Sequence, residues 1–582
     1  MQSLLIANRG EIAVRVIRAA QERGLRTIAV YSELDRDALH VTMADEAWNI
    51  GGAPAAESYL NIDHIMKVAG DAGADAVHPG YGFLAENAVF ARTVEEAGLV
   101  WVGPPADAIV DMGDKIRSRN VAAEAGVPGV PGSLQPVESV ADAARLAGDF
   151  GYPVAIKAAH GGGGKGLRVV HEEGELEAGF ESAAREADAY FGNPELYVEK
   201  YLIRPRHVEA QIIFDNNGHG MFLGERDCSI QRRHQKLIEE SPAPGIDEAQ
   251  RQALGEAALA VARQVGYRNA GTVEFLLSAE GEFYFLEMNT RLQVEHPVTE
   301  MVTGIDLVAE QLRVAGGEDL SIGETPPTHG HAIELRINAE DPSRGFLPTP
   351  GTIVEWHEPG GFGVRVDSGV TVGAAVSQYY DNLLAKLVVW GSDRQTAIAR
   401  ARRAAGNFRV SGVATTLPAH HLVLDHPDFV AGRHHTLFVE ETIDFSGMAR
   451  PTAPAVPEEE ELVEREMTVE VGGRRFQVRF WAPEPAPAQA GRKAAPRRRP
   501  PRLERSKGDS EEAGLVIAPM QGTIVKVHHK AGDRVKADDP LCVLEAMKME
   551  NEIRAPIDGE IVDLRMQSGD TVAAGAVLAI VR

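Results

Sequence analysis

Glu545-Ala546-Met547-Lys548-Met549-Glu550-Asn551 sets a lysine between two methionines, with acids on either side. Two short alternating apolar segments flank it, Gly522-Thr523-Ile524-Val525-Lys526-Val527 and Gly559-Glu560-Ile561-Val562-Asp563-Leu564. Each is followed by a turn of one type, Ala531-Gly532-Asp533-Arg534-Val535 and Ser568-Gly569-Asp570-Thr571-Val572. A duplication with the lysine at its midpoint predicts a small quasi-symmetric β-barrel that presents Lys548 at a hairpin tip. The plain alternative is a solvated hairpin lysine, and the paired methionines and duplicated halves weigh against it.

The segment resembles the biotinyl domain of biotin-dependent carboxylases, whose attachment motif Ala-Met-Lys-Met stands here at residues 546–549. Lipoyl domains share the barrel but usually lack methionine on both sides of the lysine. The resemblance implies covalent biotin on Lys548 and, elsewhere in the chain, machinery that charges it.

A chain of 582 residues is long enough for several domains, each with its own core. Hydrophobic residues make up 44% and no apolar run is long enough to cross a bilayer, so a globular enzyme without a membrane span is expected. Met1 to Asn8 lacks the basic and apolar regions of a secretion signal. Cys228 and Cys542 fall in different segments, which predicts no disulfide framework and a cytoplasmic location. The formal net charge of −26 opposes general nucleic-acid binding. One basic run, residues 492–507, reads as an extended self-repelling linker or as a dock for an acidic partner.

Leu4-Leu5-Ile6-Ala7 reads as a buried strand, a helical apolar period follows through Ile12, Val16, Ile17 and Ala20, and Thr27 to Tyr31 reads as the next strand. Further strands are expected at Ala76-Val77-His78 and Val100-Trp101-Val102. Strand, turn, helix and strand within thirty or so residues predict an α/β, doubly wound domain over residues 1–112. No glycine fingerprint follows the first strand, so no dinucleotide is expected there.

Residues 113–330 read as a second domain. Val154 to Ala158 is a strand ending near Lys157, then come four glycines, Gly161 to Gly164, and another strand, Leu167 to Val170. Strand, glycines and strand differ from the strand, loop and helix of a Walker site and predict a hairpin lid whose amides approach phosphate. Tyr197 to Leu202 is a segment of the kind that lines an adenine pocket. Two later strands carry Glu274, Glu287 and Asn289, oxygen donors suited to magnesium. Arg291, Gln293, Val294, Glu295 and His296 follow, a block in which an arginine can clasp a small planar anion with a carboxylate in reach as base.

Ala7-Asn8-Arg9-Gly10-Glu11-Ile12-Ala13, His78-Pro79-Gly80-Tyr81-Gly82, the glycine lid, His234-Gln235-Lys236 and Glu287 to His296 together resemble biotin carboxylase, an ATP-grasp enzyme. The likeness spans residues 1–445 and includes Glu334 to Asp341, so the fold implied is a doubly wound domain, an ATP-grasp domain and an α+β portion over 331–445. Residues 514–582 then form the all-β biotinyl barrel. In that family's terms ATP lies under Gly163 and Gly164 among Lys115, Lys157, Glu199, Lys200, Leu202, His207 and His234. Mg2+ or Mn2+ sits on Glu274, Glu287 and Asn289. Lys236, Arg291, Gln293 and Val294 hold bicarbonate, Glu295 deprotonates it, and Arg336 steadies charge on the biotin ring. A different ATP-grasp ligase leaves residues 515–582 unexplained, and a carrier or scaffold leaves residues 274–295 unexplained.

Residues 446–513 read as a linker with a β-hairpin at about 467–481 around Gly472-Gly473. It is expected to pair with a partner subunit or to pack on the carboxylase portion. No segment for the second half-reaction is visible, so the resemblance implies a hetero-oligomer with a carboxyltransferase β subunit, and biotin protein ligase to load Lys548. Among such α subunits the chain resembles those acting on acetyl-CoA or propionyl-CoA, with methylcrotonyl-CoA and pyruvate systems as the alternative.

Overall fold

The structure, a computed structural model, describes residues 1–133, 135–158, 167–191, 195–445, 447–448, 462–471, 474–483, 514–546, 549–573 and 575–582. Two compact units result, Met1–Pro451 and Thr452–Arg582.

Five parallel strands open the first unit, in the order Glu46–Gly51, Arg26–Ser32, Ser3–Ile6, Ala76–His78, Val100–Trp101. The first strand is central because every one of its residues is apolar or small and buried on both faces. Leu5, Ile28, Val30 and Val77 meet Ile65 and Phe90 of two helices on one face. Leu4 and Ile6 meet Ile12, Val16 and Ile17 of helix Gly10–Glu22 on the other. That is the doubly wound arrangement expected. The unforeseen strand is Glu46–Gly51, whose residues are mostly half-buried.

Next, Val154–Ala158 pairs antiparallel with Arg168–Val170 and with Leu196–Lys200. The strands on either side of the glycine run thus form the expected hairpin, while residues 159–166, including Gly163 and Gly164, lie outside the described residues. An eight-stranded antiparallel sheet follows, in the order Phe283–Asn289, Asn269–Leu277, Arg206–Phe214, Gly220–Arg232, Gln235–Ser241, His331–Asn338, Leu383–Gly391, Val364–Ser368. Ile238 pairs with Leu335, so the sheet runs unbroken across residue 330. Helices Arg394–Asn407 and Leu417–Asp425 cover its far end through Ala397, Ala401, Val423 and Leu424, giving the α+β portion.

In the second unit, strands Leu462–Val471 and Arg474–Pro483 form a ten-pair hairpin that encloses the expected 467–481. The rest of the 446–513 linker, including the basic run 492–507, falls almost wholly outside the described residues. Beyond it, two four-stranded sheets form the barrel. The duplication is literal at its turns: Gly532 and Gly569 both adopt φ +96°, where a side chain would be strained. Gly532 N–H donates to Ile561 O at 2.8 Å and Gly569 N–H to Ile524 O at 2.7 Å, so each half closes on the other. Strands Pro540–Ala546 and Met549–Arg554 pair with Ala546 opposite Met549. Met547 and Lys548 join them in sequence and lie outside the described residues. No helix among the described residues is long and apolar enough to cross a membrane.

Candidate active site

One cross-strand row of the large sheet carries most of the charge. Glu287 pairs with Glu274, Glu274 with Glu209, and Glu209 with Arg226, each directly opposite the next. Acids side by side on one sheet face repel, so the row needs cations, and three side chains supply them. Lys236 uses one ammonium on three carboxylates: Glu209 at 2.6 Å, Glu274 at 3.0 Å and Glu295 at 2.5 Å. Arg226, 0% exposed, donates to Glu209 at 2.6 Å and Gln211 at 2.7 Å. It also donates to Thr299 at 2.9 Å, Thr272 at 3.2 Å and Gln293 at 2.7 Å. His207 brings Nε2 to 3.1 Å from Glu274.

Burial alone would push the carboxyls of Glu209 and Glu274 up, but Lys236 and the other cations hold both well below the usual range. Lys236 would be pushed down by burial and is instead raised by the acids around it. For His207, burial lowers the pKa and Glu274 more than reverses it, to about 9. Glu209, Glu274, Arg226, Lys236 and His207 are therefore a set of ionised, mutually neutralised groups.

Glu295 caps the start of helix His296–Thr303, where the helix dipole favours an anion. One of its oxygens takes Lys236, the other takes Arg336 Nη2 at 2.9 Å, and these cations outweigh burial to keep it ionised. Arg336 also donates to Glu239 at 2.5 Å. Burial raises Glu239 to about 7 in spite of that contact. Arg291 donates to Glu86 at 3.0 Å and to the Asn289 side-chain oxygen at 2.8 Å. Gln293 is oriented from both ends, accepting from Arg226 and donating to Glu274 at 2.8 Å. The Val294 carbonyl accepts from Lys386 at 3.0 Å.

Beside the glycine hairpin, Lys157 and Arg119 both pair with Glu199, Arg119 at 3.0 Å. Lys115 begins helix Lys115–Glu124. Lys200 spends its ammonium on the Gly151 carbonyl at 2.8 Å, its main chain pairs with Val154, and its N–H donates to the Pro131 carbonyl at 2.7 Å. His234 is exposed on a two-residue turn joining Gly220–Arg232 to Gln235–Ser241, with φ +46° at Arg233 and +65° at His234. Two consecutive positive φ values make this a tight primed hairpin turn, and neither residue is glycine. The strain places His234 at the tip and Lys236 two residues inside.

Glu274, Glu287 and Asn289 fit a divalent cation. They offer oxygen donors from paired strands, and desolvation together with the Glu274 charge raises the Glu287 pKa, a like-charge conflict that a divalent cation would relieve. His207, Glu209 and Glu274 also bring ligand atoms within 4.8 Å of one another. There Lys236, Arg226 and the proton on His207 already neutralise the acids. Cys228 lies 4.0 Å from Glu295, and burial pushes its thiol far up, so it stays protonated.

Residues 1–109 match the biotin carboxylase N-terminal domain and 334–441 its C-terminal domain. Residues 114–323 match the ATP-binding domain of the carbamoyl-phosphate synthase L chain, and 514–581 the biotin-requiring enzyme family. The chain is 47% identical to the α3 subunit of a biotin-dependent acyl-coenzyme A carboxylase of Mycobacterium leprae, over 100% of this chain and 98% of the relative. The chain belongs to the biotin carboxylase family. A propionyl-CoA carboxylase α chain of Ruegeria pomeroyi is 41% identical over 95% of both chains. Among solved structures, the biotin carboxylase domain dimer of Hydrogenobacter thermophilus 2-oxoglutarate carboxylase superimposes with a TM-score of 0.72 at 47% identity. That structure covers 77% of this chain and 99% of its own, and it holds MgADP, ADP and bicarbonate.

This biotin carboxylase is thus an ATP-dependent ligase that carboxylates biotin. The expected bicarbonate and metal residues, 236, 274, 287, 289, 291, 293, 294, 295 and 336, gather around the charged row. Sequence reasoning did not single out Glu209, Glu86, Glu239 or Lys386. The available signal was an ionisable residue inside a mostly apolar strand: Glu209 in Arg206–Phe214 and Lys386 in Leu383–Gly391.

Proposed function

We propose that this biotin carboxylase is the α subunit of an acyl-CoA carboxylase. It loads a carboxyl group onto biotin carried by Lys548 for a separate carboxyltransferase β subunit that acts on acetyl-CoA or propionyl-CoA. The observation that carries the first half-reaction is the Glu295 carboxylate held between Lys236 at 2.5 Å and Arg336 at 2.9 Å. An entering bicarbonate competes for those two cations. As they turn toward it, Glu295 loses the charges that hold its pKa down and becomes a stronger base at the moment one is needed.

Arg291, Gln293, Lys236 and the Val294 main chain orient bicarbonate, and Glu295 takes its proton so that the oxygen can attack the γ-phosphate. Lys115 and Lys157 neutralise phosphate oxygens beneath Gly163 and Gly164. Glu199, Lys200, Leu202, His207 and His234 line the nucleotide. Glu274, Glu287 and Asn289 hold Mg2+ or Mn2+, which offsets phosphate charge when bound. Arg336, released from Glu295, steadies the negative charge that develops on the biotin ring. We assign residues 1–112, 113–330, 331–445, 446–513 and 514–582 to the N-terminal, ATP-grasp, C-terminal, linker and carrier segments of a cytoplasmic hetero-oligomer, with biotin protein ligase loading Lys548. The family matches and the full-length acyl-CoA carboxylase relatives support this reading.

Glu295→Gln and Arg291→Ala are expected to retain ATP binding and to lose biotin carboxylation by about 10²- to 10⁴-fold. Wild-type turnover in either variant sinks these roles. Purification with the native partner and a panel of acetyl-CoA, propionyl-CoA, methylcrotonyl-CoA and pyruvate decides the acceptor, and a preference for either of the last two overturns that assignment.

A further inference from the structure

We propose that Lys386 is a positioning residue for the carboxylation site, fixing the peptide from which Glu295 departs. Its side chain is 0% exposed, and its ammonium donates to the Val294 carbonyl at 3.0 Å. That carbonyl and the Glu295 N–H share one planar peptide unit, so directing the first directs the second. The base is thereby held at both ends, its carboxylate by Lys236 and Arg336 and its backbone by Lys386. Strand register makes this one device: Lys386 stands directly opposite Arg336 on the paired strand.

A purely structural role explains the lysine poorly. A buried ammonium needs well-placed anions. Here Glu11, from the first turn of helix Gly10–Glu22, is 3.1 Å away, and Asp367, directly opposite on the other neighbouring strand, is 3.9 Å away. Burial pushes Glu11 up to about 7 against the pull of Lys386, and Asp367 is already bound twice by Arg365. The Lys386 hydrogen bond at 3.0 Å goes to the Val294 carbonyl of the anion-binding loop. Glu11 belongs to the N-terminal domain, so Lys386 also ties that domain to the loop.

The inference rests on Glu295 as the base. The test therefore measures Lys386→Met and Glu295→Gln side by side in the full chain, by bicarbonate-dependent ATP cleavage and free-biotin carboxylation. Methionine keeps the length and removes the donor. Misplacing the base by about 1 Å predicts that kcat/KM for bicarbonate falls about 10- to 100-fold while KM for ATP stays within about twofold. Unchanged bicarbonate kinetics in Lys386→Met overturn the proposal, and so does a rise in KM for ATP in equal proportion, which marks general collapse. Turnover by Glu295→Gln overturns the base assignment instead. If Lys386→Met does not fold, Lys386→Arg decides. It keeps the charge with displaced donors and predicts a loss of about 3- to 10-fold in kcat/KM for bicarbonate, again with KM for ATP unchanged. Wild-type values there overturn the proposal.

Discussion

Arg226→Met removes one side chain and unties five contacts. Methionine fills much of the arginine volume, so the cavity contribution is small. The loss is electrostatic. Glu209, 0% exposed, forfeits one of its two cations at 2.6 Å and keeps Lys236, and breaking a buried ion pair costs about 3–5 kcal/mol. Gln211 and Gln293 each lose a donor at 2.7 Å, at about 1 kcal/mol or more apiece. The sum, roughly 5–7 kcal/mol, is a large fraction of the 5–15 kcal/mol typical of a folded domain. Thermal unfolding of the full chain should show a midpoint lowered on the order of 10 °C. Pairing the change with Glu209→Gln removes the stranded charge, so the double variant should lose about 1–3 kcal/mol less than the two single losses combined. A midpoint within about 2 °C of wild type, or strict additivity in the cycle, would show that the charged row is not held by Arg226.

Two further outcomes are expected elsewhere in the chain. Lys548→Arg should abolish acyl-CoA carboxylation in the reconstituted complex and leave the chain unreactive to avidin, while free biotin is still carboxylated; retained acyl-CoA turnover removes the carrier role. For acid stability, burial would raise Glu240, but hydrogen bonds from His331 at 2.7 Å and Arg394 at 2.6 and 2.9 Å hold it down to about 2. A depressed folded pKa contributes stability above the unfolded value and loses it as pH falls through the folded one. Glu240→Gln should therefore cost about 3 kcal/mol at pH 7, and the difference should shrink between about pH 5 and 2. A pH-independent difference contradicts the assignment.

How far the site could be read beforehand depended on how its residues are spaced along the chain. The anion-binding block was legible because residues 287–296 are consecutive, as were the glycine hairpin and the duplicated turns at Gly532 and Gly569. The helix period and a fully apolar strand gave the doubly wound domain, whereas Glu46–Gly51 alternates too weakly to declare itself. Residues that hold the site are dispersed, one to a strand. Arg226 is 17 residues from Glu209 and 67 from Gln293, and Lys236 is 59 from Glu295. Their meeting depends on the register of an antiparallel sheet, and a slip of one residue would turn each of them to the opposite face. Register is set by pairings such as Ile238 with Leu335, almost a hundred residues apart, which no local pattern encodes. Groups that touch substrate can share one short loop, because a small anion is reached from a single place. Neutralising acids on neighbouring strands draws His207, Arg226 and Lys236 from three different strands, so this part of the chemistry becomes visible only once the sheet is assembled.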